Sequence, residues 1–326
     1  PFSRKLRLQM ESMSSVFGAV PGNFGEPLLL RFSALNNELF ADVNGETTPM
    51  ARVVSVVGKR NLQSCRHLRL FVDEEGDKFL PQITLAIQKT LFYVRLHAPE
   101  ILKLELGFQR LDMAPMIIAS LKDTFRQVIE LSISYSPWKK PPRFSEREAP
   151  AVMELLELWV AKDLRSSLRS LRIFPFVKVD MKLQRALAQC INLRHLTLSK
   201  LHSVRDNPVF KGILSVEFDG CDLAMQDEDL RFARLLLKMF PDGSTFNIHR
   251  VPHDVFSTAL TSLLVQSQSD FTMVVPWRDA RTILEKLKGQ IVIVFNESRD
   301  EVEAETVQGS KFRFLCSDAS RSMAAC

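Results

Sequence analysis

The sequence predicts an α/β chain of stacked strand–helix repeats. Its expected form is an irregular solenoid with parallel strands on a concave face and helices on a convex face. Three observations predict it. First, a six-residue run, apolar at its first, fourth and sixth positions, returns at Cys65–Leu70, Ile101–Leu106, Val128–Ile133, Leu168–Ile173, Leu193–Leu198 and Ile213–Phe218. Recurrence of one short strand with 20 to 40 residues between starts marks a stacked array. Second, amphipathic segments lie between the runs. Third, 46% of residues are hydrophobic, including 23 Phe, which excludes a disordered chain.

Residues 1–27 have mixed composition and the breakers Pro21, Gly22 and Gly25, so they read as a loosely ordered lead-in. Residues 28–62 read as a helical cap in two pieces. Leu35, Leu39, Phe40 and Val43 share one face of the first, with Asn36 or Asn37 as its N-cap. Met50–Leu62 repeats the pattern with Val53, Val54, Val56 and Val57, although its valine density also suits a strand.

Residues 63–326 are the solenoid. Helices are expected at Phe79–Leu96, Met113–Val128, Ala151–Ala161, Met181–Cys190 and Asp227–Phe240. Past residue 240 the run weakens but short strands remain at Thr245–His249, Phe271–Val275, Ile291–Phe295 and Phe312–Cys316. Helices His253–Ser267 and Trp277–Lys288 separate them, with Gly289 placed to end the second. Two segments fall outside the repeat. Ser136–Pro150 has four prolines around Trp138, Lys139, Lys140 and Arg143, and reads as a protruding loop. Arg299–Glu305 reads as an acidic turn before the last strand.

The net charge of +5 is concentrated early: residues 1–70 hold nine Lys and Arg against five Asp and Glu. That excess falls short of the dense basic stripe of nucleic-acid binders. Five cysteines, odd in number and without a Cys-x-x-Cys pair, suit reduced buried thiols in a cytoplasmic or nuclear protein. No apolar run is long enough for a membrane helix. Arg4, Lys5 and Arg7 are followed by Gln9, Glu11 and Ser12 rather than an apolar core, which does not read as a secretory signal.

No catalytic constellation can be assembled locally. Gly58-Lys59 lacks the glycine and the Ser/Thr of a phosphate loop. Cys65 and His67 share a strand face without a second ligand pair, and Pro252 spoils the helical spacing of His249 and His253. The expectation is a non-enzyme with no cofactor and no metal.

The apolar positions one, four and six resemble the leucine-rich repeat, L-x-x-L-x-L-x-x-N/C-x-L. Ile213, Val216, Phe218, Cys221 and Leu223 satisfy the whole pattern, whereas the other copies carry Asp73, Gln109, Ser136, Phe176 and Leu201 at the ninth position. That resemblance implies binding of a protein partner on the concave face. Outward strand positions then supply Arg69, Glu105, Arg172, Arg194, Thr197 and Glu217, and the proline-rich loop supplies Trp138, Lys139 and Lys140. Trp277 is a further aromatic anchor.

Upstream, Leu35–Val43 and Val54–Arg60 resemble the opening and closing segments of a degenerate F-box, although Asn36 stands at the usual proline and Gly58 interrupts the close. The resemblance implies a Skp-type adaptor held by Leu35, Leu39, Val43 and Val57, and a substrate-recruiting subunit of a cullin-RING (SCF-type) ubiquitin ligase. Without it, residues 28–62 are a plain repeat cap and the chain is a non-catalytic scaffold or regulator.

Overall fold

The computed structural model describes residues 26–35, 38–73, 80–98, 100–108, 114–135, 149–201, 208–219, 231–241, 244–249, 255–289, 291–297 and 301–317. The chain is an α/β protein whose strands are mostly parallel, and it divides into two compact units. One comprises residues 1–176 with 189–192; the other comprises 177–188 with 193–326.

The first unit opens with a β-meander. Strands β1 (Leu28–Leu35), β2 (Glu38–Val43) and β3 (Glu46–Pro49) pair antiparallel. This corrects the helical reading of residues 28–49. Leu28, Leu30 and Phe32 are buried while Leu29, Arg31 and Ser33 are half-buried, a period of two rather than 3.6. Asn44 and Gly45 both take positive φ, at 53° and 91°, as a tight hairpin turn requires. The second half of the segment is helical, a 3₁₀ turn at Met50–Arg52 leading into the short α1 (Val53–Gly58), which buries Val53, Val56 and Val57.

Strands and helices then alternate: β4 (His67–Asp73), α2 (Leu80–His97), β5 (Lys103–Phe108), α3 (Ala114–Thr124), β6 (Glu130–Tyr135), α4 (Ala149–Trp159) and the start of β7 (Ser170–Val179). Across the sheet the order is β3-β2-β1-β4-β5-β6-β7, and every pair from β1–β4 to β6–β7 is parallel. Registers align like residues. Leu68, Leu104, Leu131 and Leu171 form one row, and Leu70, Leu106, Ile133 and Ile173 another. All eight are at most 1% exposed, so each row is a continuous ladder of core side chains. Burial of each contributes about 2 kcal/mol, which no single repeat could collect alone.

The helices seal this ladder. Ile83, Ile87, Leu91 and Val94 of α2, Ile117, Ile118 and Leu121 of α3, and Val152, Met153 and Leu156 of α4 are buried. They pack α1 on α2, α2 on α3, and α3 on α4. Trp159 is fully buried and its indole N–H donates to the Phe125 carbonyl at 3.1 Å. Leu158, next to Trp159 in the chain, is 48% exposed.

Position two of the run has a backbone role. Its carbonyl accepts the amides of positions two and three of the next copy: Arg66 from Leu102 and Lys103, Leu102 from Ile129 and Glu130, Ile129 from Arg169 and Ser170. The same step occurs in the second unit, where the Arg194 carbonyl accepts Leu214 and Ser215. Position one is buried in all six copies (Cys65, Ile101, Val128, Leu168, Leu193, Ile213), beneath that clasp.

The second unit contains α5 (Met181–Ala188), β8 (His195–Leu201), β9 (Ser215–Asp219), α6 (Arg231–Met239), β10 (Thr245–His249), α7 (Val255–Gln266), β11 (Phe271–Pro276), α8 (Trp277–Lys286), β12 (Ile291–Glu297), β13 (Glu301–Thr306) and β14 (Lys311–Ser317). Its order is β8-β9-β10-β11-β14-β13-β12. The pairs from β8 to β11 and on to β14 are parallel; β12–β13–β14 is an antiparallel meander. This unit has its own ladder of core side chains: Leu196, Val216, Phe246, Phe271 and Phe312 in one row, and Leu198, Phe218, Ile248, Met273 and Phe314 in the next. Phe271 and Phe312 stack with centroids 5.4 Å apart.

Strand β13 corrects the turn reading of Arg299–Glu305 over Glu301–Glu305; Arg299 and Asp300 lie outside the described residues. Val302, Ala304 and Thr306 are buried between Glu301, Glu303 and Glu305, so the three acids mark the wet side of a strand. Arg313 on β14 pairs with Glu301, and that bond raises the guanidinium pKa further.

Candidate protein-binding face

Strand alternation that buries positions four and six turns positions three and five to the other side of each sheet. In the first unit the two polar rows are His67, Lys103, Glu130 and Ser170, and Arg69, Glu105, Ser132 and Arg172. These eight residues are half-buried, shielded by their cross-strand neighbours.

Glu105 is the hub. One carboxylate oxygen lies 3.0 Å from His67 Nε2 and 3.5 Å from Lys103 Nζ; the other lies 2.7 Å from Arg69 Nε in a charge contact. Lys103 also reaches Glu130 at 3.1 Å. Burial alone would raise the Glu105 pKa. The polar contact with His67 and the charges of Arg69, His67 and Lys103 outweigh it and hold the carboxyl at about 2. Glu105 therefore stays ionised.

Arg69 also lies over the Phe71 ring, 5.6 Å from its centroid. Phe71 in turn covers Gly107 of the next strand, where an added Cβ would sit 2.2 Å from the ring. The missing side chain lets an aromatic lie flat on this face and support the arginine beside it.

In the second unit two cross-strand hydrogen bonds lie on this face. Thr197 Oγ1 donates to Glu217 at 2.8 Å, and Asn247 Nδ2 donates to Ser215 Oγ at 2.8 Å. Arg194 does not project freely. Its guanidinium donates to the Leu193 carbonyl at 2.9 Å and lies against Gly212, whose φ of 70° and absent Cβ make room for it.

Of the residues expected to contact a partner, Arg69, Glu105 and Arg172 fall in one row of the first unit, and Thr197 and Glu217 are adjacent in the second. Trp138, Lys139 and Lys140 lie outside the described residues. By sequence His67 is weighed only as a metal ligand beside Cys65, and neither Phe71 nor Gly107 is singled out. The position-three rule could have joined His67 to Lys103 and Glu130; nothing local signals an aromatic over a cross-strand glycine.

The residues expected to hold an adaptor do not form a patch. Leu35 ends β1 opposite Glu38, and Leu39 lies half-buried on β2 opposite Ala34. Val43 and Val57 are fully buried. Side chains sealed in the core are not available to another protein, and the strand geometry of residues 28–49 is the physical reason the expected helical face is missing.

Comparison with family models, with curated proteins and with solved structures finds no match for this chain. The class defined here is therefore set by the fold itself: an α/β protein with mostly parallel strands. Among the described residues no helix is long and apolar enough to cross a membrane, and no group of three His, Cys, Asp or Glu is placed to hold a metal.

Proposed function

We propose that this chain is a leucine-rich-repeat-like, non-catalytic scaffold that binds another protein through the polar faces of its sheets. The observation that carries this reading is the register. Positions one, four and six of every copy go to the core, and within each unit the carbonyl of position two clasps the next copy, leaving positions three and five as a patterned polar surface. Such a surface varies from repeat to repeat without cost to the core. The mixed signs of Arg69, Glu105 and Arg172 suit a protein partner better than a polyanion. A ubiquitin-ligase role is the weaker version, because Val43 and Val57 are buried.

The test is paired affinity capture from cells with three forms of the chain. One is wild type; one carries Arg69→Glu with Arg172→Glu; one carries Lys89→Glu with Arg95→Glu on the exposed side of α2. The reading expects proteins retained by the wild type and the helix variant but lost from the strand variant, with all three equally folded by circular dichroism. An identical set from all three would overturn it.

A further inference from the structure

We infer that Asn44-Gly45, the turn between β2 and β3, is a latent site of spontaneous deamidation held shut by three hydrogen bonds. Both residues are solvent-exposed, so water reaches the turn. The reaction needs the Gly45 backbone nitrogen to attack Asn44 Cγ. A C–N bond forms, the Cγ–Nδ2 bond breaks, and ammonia leaves carrying the Gly45 amide proton. Water then opens the cyclic imide at either carbonyl, giving aspartate or isoaspartate at position 44. Glycine is the follower that obstructs this attack least, since it has no Cβ beside the nitrogen.

The fold engages every atom that must move. Asn44 Oδ1 accepts the Leu29 amide at 2.7 Å, and Asn44 Nδ2 donates to the Pro27 carbonyl at 3.0 Å. A backbone N–H facing one amide atom and a carbonyl facing the other admit only this orientation of the side chain. The attacking nitrogen is occupied as well, because Gly45 N–H donates to Asp42 Oδ1 at 2.8 Å. A carboxylate there opposes the loss of that proton. Asn44 N also donates to the Leu29 carbonyl at 3.0 Å, fixing the turn against β1.

Deamidation thus requires the turn to open first, and the product cannot close again as before. A carboxylate at position 44 has no donor for the Pro27 carbonyl and places two oxygens against each other where Nδ2 and O were 3.0 Å apart. The turn is a one-way recorder of openings at this end of the meander.

The test follows deamidation of the whole chain in mildly alkaline heavy-oxygen water, in native buffer and in denaturing urea, by peptide mapping. At about fivefold per bond, the native rate should be roughly 100-fold below that in urea. Asp42→Ala should raise the native rate about fivefold and leave the urea rate unchanged. Equal native and denatured rates, or a native rate indifferent to Asp42→Ala, would overturn the inference. Asn44→Asp supplies a second readout independent of rate: exchange of the Leu29 amide should accelerate, and unaltered exchange would contradict the proposed loss of closure.

Discussion

Removing the charge at the centre of the ionic face, by Glu105→Gln, tests whether that network stabilises the first unit. The Glu105 carboxyl is held at about 2 against an ordinary 4.5. The folded state therefore binds this proton less readily than the unfolded state. Its stabilisation is fully present above the unfolded value and is lost as pH falls through the window from 4.5 to about 2. A shift of that size corresponds to about 3 kcal/mol. The Glu105 side chain is 24% exposed, so solvent screening makes this an upper figure. About 2 kcal/mol of it should disappear between roughly pH 7 and pH 3. Urea unfolding of wild type and variant at both pH values reads the difference directly, since other carboxylates titrate in both proteins. Wild type should exceed the variant at neutral pH and converge toward it in acid. A constant gap across the two pH values would refute the reasoning.

Other predictions concern packing and thiol chemistry. Gly107→Ala should cost about 1–3 kcal/mol, because the new Cβ meets the Phe71 ring, and adding Phe71→Ala should recover part of that loss. Val57→Asp should unfold the first unit in urea at far lower concentrations than Leu39→Asp, since Val57 is fully buried and Leu39 half-exposed. Cys190 is buried and its thiol pKa is pushed up to about 11 by that burial, with Arg165 opposing. Alkylation near neutral pH should therefore be slow in the native protein and fast after unfolding, with no difference if the thiol is in fact accessible. Thr197→Val should lower stability of the second unit by about 1 kcal/mol by removing the bond to Glu217.

The repeats were legible because a short parallel strand leaves a period-two trace, and the apolar triplet of Leu131, Ile133 and Val128 repeats that of Leu104, Leu106 and Ile101. The opening meander was misread for a reason intrinsic to it. Leu35, Leu39 and Val43 fall at helical spacing by coincidence, straddling two strands, while the stronger evidence lay in Leu28, Leu30, Phe32 and the Asn44-Gly45 turn. Strand β13 was lost to its glutamates, although Val302, Ala304 and Thr306 keep the alternation. The outward polar positions followed from alternation alone. Their connection into a network centred on Glu105 did not, because it depends on parallel register between strands 36 and 27 residues apart in start position.

The most direct test of the binding proposal places a photo-crosslinking side chain at Ser132, in the polar row between Glu105 and Arg172, and separately at exposed Gln88 on α2. The account predicts that Ser132 captures another polypeptide in cells and that Gln88 does not. Capture from Gln88 alone would move the interaction to the helical side and contradict it.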